Sequence, residues 1–562
     1  MNHVWWNAWP SWTPRKIDIV KPVCEHLRSW ADLTPDHIAL SFYGRDISYG
    51  TLNNLVDRMA WALKGLGVKK GDRVGVHMQN CPQFVIAYMG TLRAGGVAVA
   101  VNPMFKGAEL EYELTDAGAE TLVGLDYLYP EVQKVRSRTP LKNVILTSMS
   151  EFLPDNPIFP PSPEALAEKQ VFPDTIDLME LLDNSPDDPI CLVGNLKTSL
   201  AVLQYTGGTT GLPKGAMLTH YGVAFGAVGT MHWYRFRDDD VFLGVTPFFH
   251  VMGQMTLMLC PLTAGGRVVL LDRFVPEVAA QAIQHYGCTF WVGATTMMIA
   301  LLGLPNIKDY DLTSLRLMWT GGAPISVELQ NQIKELVPGA AIGEGYGLSE
   351  TASHGGACTP PFHYRPGFAG TPQLGVEIKI VDEETGTKEM PPNEPGEIII
   401  KSPTTMVGYW NRPDETKEML RDGWLYTKDT GLMDEQGYVK FLGRTREMIK
   451  CSGFSVFPAE VEHLLYAHPA VKEAAVIGVN DSYRGTSPKA FIVLKDGYAG
   501  TVTEKEILNW CKDNMAAYKR PKFVEFRESL PKTAAGKLQK IILEQEEQLH
   551  LCLIMGRFMD GE

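Results

Sequence analysis

Three observations predict an α/β protein with a smaller α+β part at its C-terminal end. Strand-like and helix-like segments alternate from Arg73 to Val101, and the alternation recurs between Val268 and Val337. From about residue 376 the texture changes to short strands and polar turns, as in VEIKIVDEETG, GEIIIKSP and GYVKFLGR. After Arg444 a shorter stretch mixes helix and strand signals, which places a domain boundary at residues 443–450. Strands that alternate with helices build parallel sheets covered on both faces.

Taken in order, Leu52, Leu55, Met59, Leu63 and Leu66 recur at helical spacing and predict an amphipathic helix over 50–66. Arg73–Met78 reads as a strand, Cys81–Leu92 as a helix and Val97–Val101 as a second strand, with Gly95-Gly96 as the break. In the recurrence Val268–Leu271 is a strand, Pro276 opens a helix through Ile283, and Thr289–Val292 is a strand. Leu315–Trp319 runs into Gly321-Gly322-Ala323-Pro324, with Ser326 as N-cap of a helix to Val337. Beyond Arg444 come a helix near Ala459–Tyr466, strands Ala474–Val479 and Lys489–Leu494, and a helix opened by the capping box Thr503-x-x-Glu506.

Composition narrows the function classes. A formal net charge of −13 over 562 residues argues against nucleic acid or an anionic membrane as main partner. The nine cysteines form no C-x-x-C and no zinc spacing, which favours reduced thiols in a cytoplasmic protein. The N-terminus MNHVWWNAWPSW lacks the pattern of a signal peptide, and its tryptophans read as packing onto the protein surface. No apolar run is long enough to span a membrane.

The chemistry concentrates at residues 201–220, AVLQYTGGTTGLPKGAMLTH. Ala201–Tyr205 reads as a buried strand, and Ala216 onward as an apolar stretch that suits a helix. Between them Gly207, Gly208, Gly211 and Gly215 let backbone N–H groups turn toward one point, while Thr206, Thr209 and Thr210 add hydroxyls and Lys214 a cation. Such a loop suits a polyphosphate, although a flexible surface loop has similar composition. It is not a Walker A loop, because no hydroxyl follows the lysine. In GEGYGLSE, residues 343–350, glycines flank Tyr346 and expose an aromatic face for adenine, and Ser349 and Glu350 suit phosphate and Mg²⁺. Asp429, in WLYTKDTG, suits a ribose or caps its own turn. Residues 443–450, GRTREMIK, follow, and PKTAAGK at 531–537 presents Lys537 in a loop.

These elements stand in the order found in the AMP-forming adenylating enzymes, which the chain resembles from about Cys24 to Lys540. The segment PFFHVMG at 247–253 resembles their acyl-CoA synthetase branch. The resemblance implies a large N-terminal domain (1–443) of two helix-covered sheets plus a small β-barrel, and a mobile α+β C-terminal domain (444–562). It implies that Thr206, Gly207, Gly208, Thr209, Thr210, Gly211 and Lys214 wrap the β- and γ-phosphates of ATP, and that Thr206 and Glu350 hold Mg²⁺. Gly322 with Glu344, Gly345 and Tyr346 would flank adenine, Ser349 would touch the α-phosphate, and Asp429 and Arg444 would bind ribose with Arg446 and Lys450 nearby. Lys537 would be the adenylation lysine, His250 would sit by the substrate carboxylate, and Glu447 would be the hinge. Gly453 would leave room for the pantetheine of CoA; Lys519, with Arg520 and Lys522, would meet its nucleotide end or form a solvated basic run.

The sequence departs from the commonest family pattern at Gly207, Ser349, Tyr426, Lys428 and Glu447, and Lys428 stands where glycine is frequent. The expected reaction joins a carboxylic acid to CoA, with ATP cleaved to AMP and diphosphate. A lining rich in methionine (Met252, Met255, Met258, Met297, Met298) favours a medium- or long-chain fatty acid, while the same methionines could fill the core. The alternatives are a cyclic or aromatic acid, or an acyl-adenylate handed to an acceptor other than CoA. A homodimer is compatible with the sequence.

Overall fold

A computed structural model describes residues 3–206, 212–321, 325, 327–444, 447–451, 454–481, 485–515, 519–533 and 538–559. Its described strands form four sheets. The seven-stranded sheet runs Ile176–Asp177, Asn143–Thr147, Thr121–Leu125, Arg73–His77, Val97–Val101, Leu200–Tyr205, Gly215–Thr219. Every neighbouring pair is parallel except the last. The nine-stranded sheet has a parallel centre and antiparallel strands at both ends, Arg45–Ser48 at one and Ala357–Cys358 with Thr371–Pro372 at the other. The expected parallel sheets are thus mixed ones, with antiparallel strands at their edges.

A second correction concerns Ala216. Gly215–Thr219 is a strand paired antiparallel with Leu200–Tyr205, and the helix begins only at His220, where the Thr219 side chain accepts from Gly222 N. The glycine loop therefore closes a hairpin between two strands rather than opening a helix.

One apolar core joins the two large sheets, with Val76 and Ala98 from one and Phe242 and Leu270 from the other in the same cluster. The helix Pro82–Arg93 is buried along its whole length, which explains its lack of a polar face. Its last residue, Arg93, is fully buried because its guanidinium lies 2.9 Å from the Asp57 carboxylate. The N-terminal tryptophans pack as expected: Trp9 Nε1 donates to Pro372 O at 3.0 Å and its ring lies 5.6 Å from that of Trp233.

The third sheet is antiparallel and ends with Val439–Arg444, while the fourth begins with Ile449–Cys451 and has its own apolar core. Helices Pro458–Leu465 and Glu504–Asn514 pack with it, the latter behind the Thr503/Glu506 capping box. A long helix, Lys540–Met559, follows. Among the described residues no helix is long and apolar enough to cross a membrane.

Burial raises the pKa of several carboxylic acids, that of Glu113 the furthest. Glu113, on helix Ala108–Ala117, is held near pKa 8 by desolvation first and by the nearby Asp116 charge second. The unfolded chain releases that proton near 4.5, so stability is full below pH 4.5 and lost as pH rises through about 8. At about 1.4 kcal/mol per unit, the loss by pH 7 is at most roughly 3 kcal/mol. Glu113→Gln removes the charge and should leave Tm near the parent value at pH 4.5, but raise it by several degrees at pH 8 in melting curves.

Candidate functional site

The neck of the glycine loop is closed by a reciprocal pair. Thr206 N donates to Lys214 O at 3.0 Å, and Lys214 N donates to Thr206 Oγ1 at 3.2 Å. Gly207, Gly208, Thr209, Thr210 and Gly211 lie outside the described residues. Gly215 has a packing reason: a Cβ there would stand 3.2 Å from the Tyr205 ring, so glycine lets that ring lie against the outgoing strand. The Lys214 ammonium sits 5.3 Å from the centroid of the Tyr409 ring, and Tyr409 OH donates to Glu350 Oε1 at 2.6 Å. Tyr409 thus bridges the loop's cation and the carboxylate of the GYGLSE segment. Nothing local in the sequence pointed to it, because its partners stand 195 and 59 residues away.

Strand Ala341–Tyr346 runs parallel to Leu317–Gly321, which sets Gly345 beside Gly321. Glu344 is buried and turns inward, accepting from Ile325 N at 3.0 Å and Tyr364 OH at 2.6 Å. Burial raises its pKa to about 7. Its side chain therefore holds the backbone at Ile325; Gly322 and Ser326 lie outside the described residues. The expectation that Tyr346 exposes an aromatic face is corrected in part: Phe441 stacks on it with centroids 5.6 Å apart, and its hydroxyl donates to Asp429 Oδ2 at 2.7 Å.

Asp429 lies within strand Trp424–Met433 rather than in a tight turn. It is buried, and desolvation raises its carboxyl to about 6 against the lowering effect of Arg444, whose Nε is 3.7 Å from Oδ1. The residue before it, Lys428, has φ +58°, which explains why glycine suits this position. Its amide donates to Glu397 Oε1 at 2.8 Å and its ammonium pairs with Glu418 at 2.5 Å. Ala352 and Ser353, just after Glu350, also have left-handed φ values of +49° and +63°. Backbone strain at two places beside the same group of side chains is characteristic of a ligand site. Ser349 opens the short 3₁₀ turn that carries Glu350.

His250 caps the turn Val251–Gly253, its Nδ1 accepting from Met252 N at 3.3 Å. In the neutral ring the proton is then assigned to Nε2. Two amides that sequence reasoning missed hold this segment. Asn80 donates to Gly244 O at 3.1 Å and Thr246 O at 3.0 Å and accepts from Phe248 N at 2.8 Å, and Gln204 donates to Phe249 O at 3.2 Å. Of the five methionines, Met255, Met258 and Met298 are buried in the core, whereas Met252 and Met297 are partly exposed. The core-filling reading holds for those three.

In the C-terminal part, Glu447 is ion-paired with Lys540 at 3.4 Å, and Lys540 also reaches Glu462 at 2.8 Å. Lys519 is ion-paired with Glu460, Lys522 lies 2.9 Å from Asp481, and Arg520 donates to the Met515 and Lys512 carbonyls. This basic run is engaged within the fold rather than simply solvated. Arg446, Gly453 and Lys537 lie outside the described residues, as does the side chain of Lys450. Thr206 and Glu350 offer a hydroxyl and a carboxylate, the hard oxygen donors that Mg²⁺ takes. Among the described residues, Tyr409 engages only Oε1 of that carboxylate.

Comparison with known proteins is consistent with this geometry. The AMP-binding enzyme family matches residues 27–410, and the AMP-binding enzyme C-terminal domain matches residues 460–537. A long-chain-fatty-acid–CoA ligase of Bacillus subtilis is 37% identical, covering 97% of this chain and 98% of its own length. One from Escherichia coli O6:H1 is 33% identical over the same shares. The solved structure of the anthranilate CoA ligase AuaEII in complex with anthranoyl-AMP aligns with a TM-score of 0.86 and 27% identity, covering 95% of this chain and 99% of that one.

Proposed function

The chain belongs to the AMP-binding enzyme family and is an AMP-forming acyl-CoA synthetase, and from that premise we propose that its acid is a medium- or long-chain fatty acid and that the clusters above divide the work. The fatty-acid reading is carried by one observation, the 37% identity over 97% of the chain to a long-chain-fatty-acid–CoA ligase. The AuaEII complex favours a second reading, an aromatic acid, at lower identity.

In the proposed first step the substrate carboxylate attacks the α-phosphorus of ATP, giving acyl-AMP and diphosphate. A carboxylate is already ionised at neutral pH, so no base is required. The obstacle is repulsion between an anion and a polyanion. The Lys214 side chain and the backbone N–H groups of residues 207–212 neutralise the β- and γ-phosphates, Lys537 meets the reacting groups, and His250 orients the carboxylate from Nε2. Bound through Thr206 and Glu350, Mg²⁺ would supply further charge neutralisation. Gly322, Gly345 and Tyr346 flank adenine, with Glu344 holding the backbone at Ile325. Ser349 meets the α-phosphate, and Asp429 with Arg444 holds the ribose, Arg446 and Lys450 lying nearby in sequence.

For the second step we assign residues 1–443 and 444–562 to two domains that reorient about Glu447. The CoA thiol then displaces AMP, with Gly453 clearing the pantetheine path and Lys519 at the nucleotide end. The latter role requires Lys519 to leave Glu460.

The substrate test is a panel of saturated fatty acids, cinnamic-type acids and benzoates, scored by kcat/KM for acid- and CoA-dependent AMP release. Fatty acids of roughly eight or more carbons should exceed the aromatic acids by at least about tenfold, one extra methylene being worth up to a few kcal/mol. Preference for an aromatic acid would establish the second reading.

The ribose assignment has a pH signature. Asp429 accepts from ribose hydroxyls more strongly, and with both oxygens, as the carboxylate, and its carboxyl stands at about 6 in the free protein. The kcat/KM for ATP should therefore fall as pH drops through 6. Asp429→Asn should be low throughout and lose that limb of the profile.

A further inference from the structure

We propose that Asp116 is a positioning residue that sets the neck of the phosphate loop and, through Arg412, the Tyr409–Glu350 pair; this rests on reading residues 206–214 as the phosphate site. Asp116 lies in helix Ala108–Ala117, far in sequence from every residue assigned to ATP. Its side chain is 8% exposed, and each of its oxygens holds a different part of the site. Oδ2 accepts from Tyr205 OH at 2.8 Å, and Tyr205 is the last residue of the strand that enters the loop. Oδ1 accepts from Arg412 Nη2 at 2.6 Å.

The same helix reaches the outgoing stem as well. Tyr112 OH donates to Pro213 O at 2.8 Å, directly before Lys214, and Arg412 Nη2 lies 3.5 Å from that hydroxyl. One face of a single helix therefore touches the loop on both sides of the Thr206–Lys214 closure.

Arg412 extends the connection. It ends the segment 407–412, which lies along the outgoing strand: Val407 N donates to Met217 O at 2.9 Å, Met217 N to Gly408 O at 2.9 Å, and Trp410 N to Gly215 O at 2.8 Å. Within that segment Tyr409 carries the hydroxyl bound to Glu350 and the ring beneath Lys214. Asp116 thus hydrogen-bonds both the last residue of the entering strand and the segment carrying Tyr409. A charge-assisted pair of this kind fixes geometry more firmly than a neutral bond.

The chemistry would feel this through ATP alone. Acyl-AMP has lost the β- and γ-phosphates, so a loosened loop neck leaves its reaction with CoA untouched. The test compares Asp116→Asn, Tyr205→Phe, their double variant and Lys214→Ala in two assays: acid-dependent ATP–diphosphate exchange, and thioester formation from supplied acyl-AMP and CoA. Asp116→Asn should raise the KM for MgATP roughly ten- to hundredfold, with thioester formation held within about twofold. Tyr205→Phe should raise the same KM by roughly three- to tenfold, and the double variant should fall short of the product of the two single effects, because Asp116→Asn already weakens the acceptor of the Tyr205 hydroxyl.

Equal losses in both assays that follow Tm would reduce Asp116 to a fold-stabilising residue and overturn the proposal. So would an unchanged KM in Asp116→Asn while Lys214→Ala raises it. If Asp116→Asn does not fold, Tyr205→Phe decides alone, and an unchanged KM overturns the proposal. A Lys214→Ala variant with unchanged KM would instead remove the phosphate-site reading on which the proposal stands.

Discussion

Lys537→Ala is expected to lower acyl-adenylate formation by roughly 10²–10³-fold while thioester formation from supplied acyl-AMP stays near the parent rate. The argument is electrostatic. The first step brings a carboxylate to a triphosphate, and negative charge shifts toward diphosphate as the bond to the α-phosphorus forms. A single preorganised cation at the reacting oxygens is worth several kcal/mol there and almost nothing once diphosphate has left. Lys214 cannot substitute, because its ammonium is assigned to the β- and γ-phosphates rather than to the reacting oxygens. Rapid-quench measurement of each half-reaction separates the outcomes. Equal loss in both would refute the assignment of Lys537.

Glu447→Pro is expected to do the reverse, keeping adenylation and lowering thioester formation by roughly 10²-fold or more, the usual consequence of misplacing reacting groups by about 1 Å. Glu447 lies between Arg444, the end of the third sheet, and Ile449, the start of the fourth. A backbone that must change φ at this point between the two steps is blocked by proline, whose ring fixes φ near −65°. Glu447 also pairs with Lys540, so proline removes an ion pair as well as a torsion. Glu447→Ala controls for that. It removes the pair but leaves the backbone free, and it should support both half-reactions. If Glu447→Ala loses thioester formation as fully as Glu447→Pro, the side chain rather than a hinge is responsible.

The parts legible in the sequence are those whose physics is local. Thr206–Gly215 reads as a phosphate loop because glycines and hydroxyls crowd within ten residues, and the Thr503/Glu506 capping box is a four-residue signal. The roles expected of Glu447, Asp429 and Glu350 come from the order of motifs along the chain, which the resemblance supplies. Ala216 was misread because a short apolar run is compatible with helix or strand. Its pairing with Leu200–Tyr205 decides the matter, and that contact is not written in the run itself. Tyr409, Asn80 and Asp116 went unseen for the same reason, since each acts on residues dozens to hundreds of positions away. Lys428 lies between these cases. The sequence marks it as unusual, and the φ of +58° gives the cause, a left-handed residue costing roughly 1–2 kcal/mol unless other contacts hold it.

The claim at the centre of this account is that the acid is activated as a mixed anhydride with adenylate. The most direct measurement uses a carboxylic acid labelled with ¹⁸O in both carboxylate oxygens, incubated with the enzyme, MgATP and CoA, with the phosphorus products read by mass. Attack on the α-phosphorus leaves one carboxylate oxygen on the departing nucleotide, so the account predicts AMP carrying a single ¹⁸O, with unlabelled diphosphate. Label in orthophosphate accompanied by ADP would mean attack at the γ-phosphorus and would contradict it.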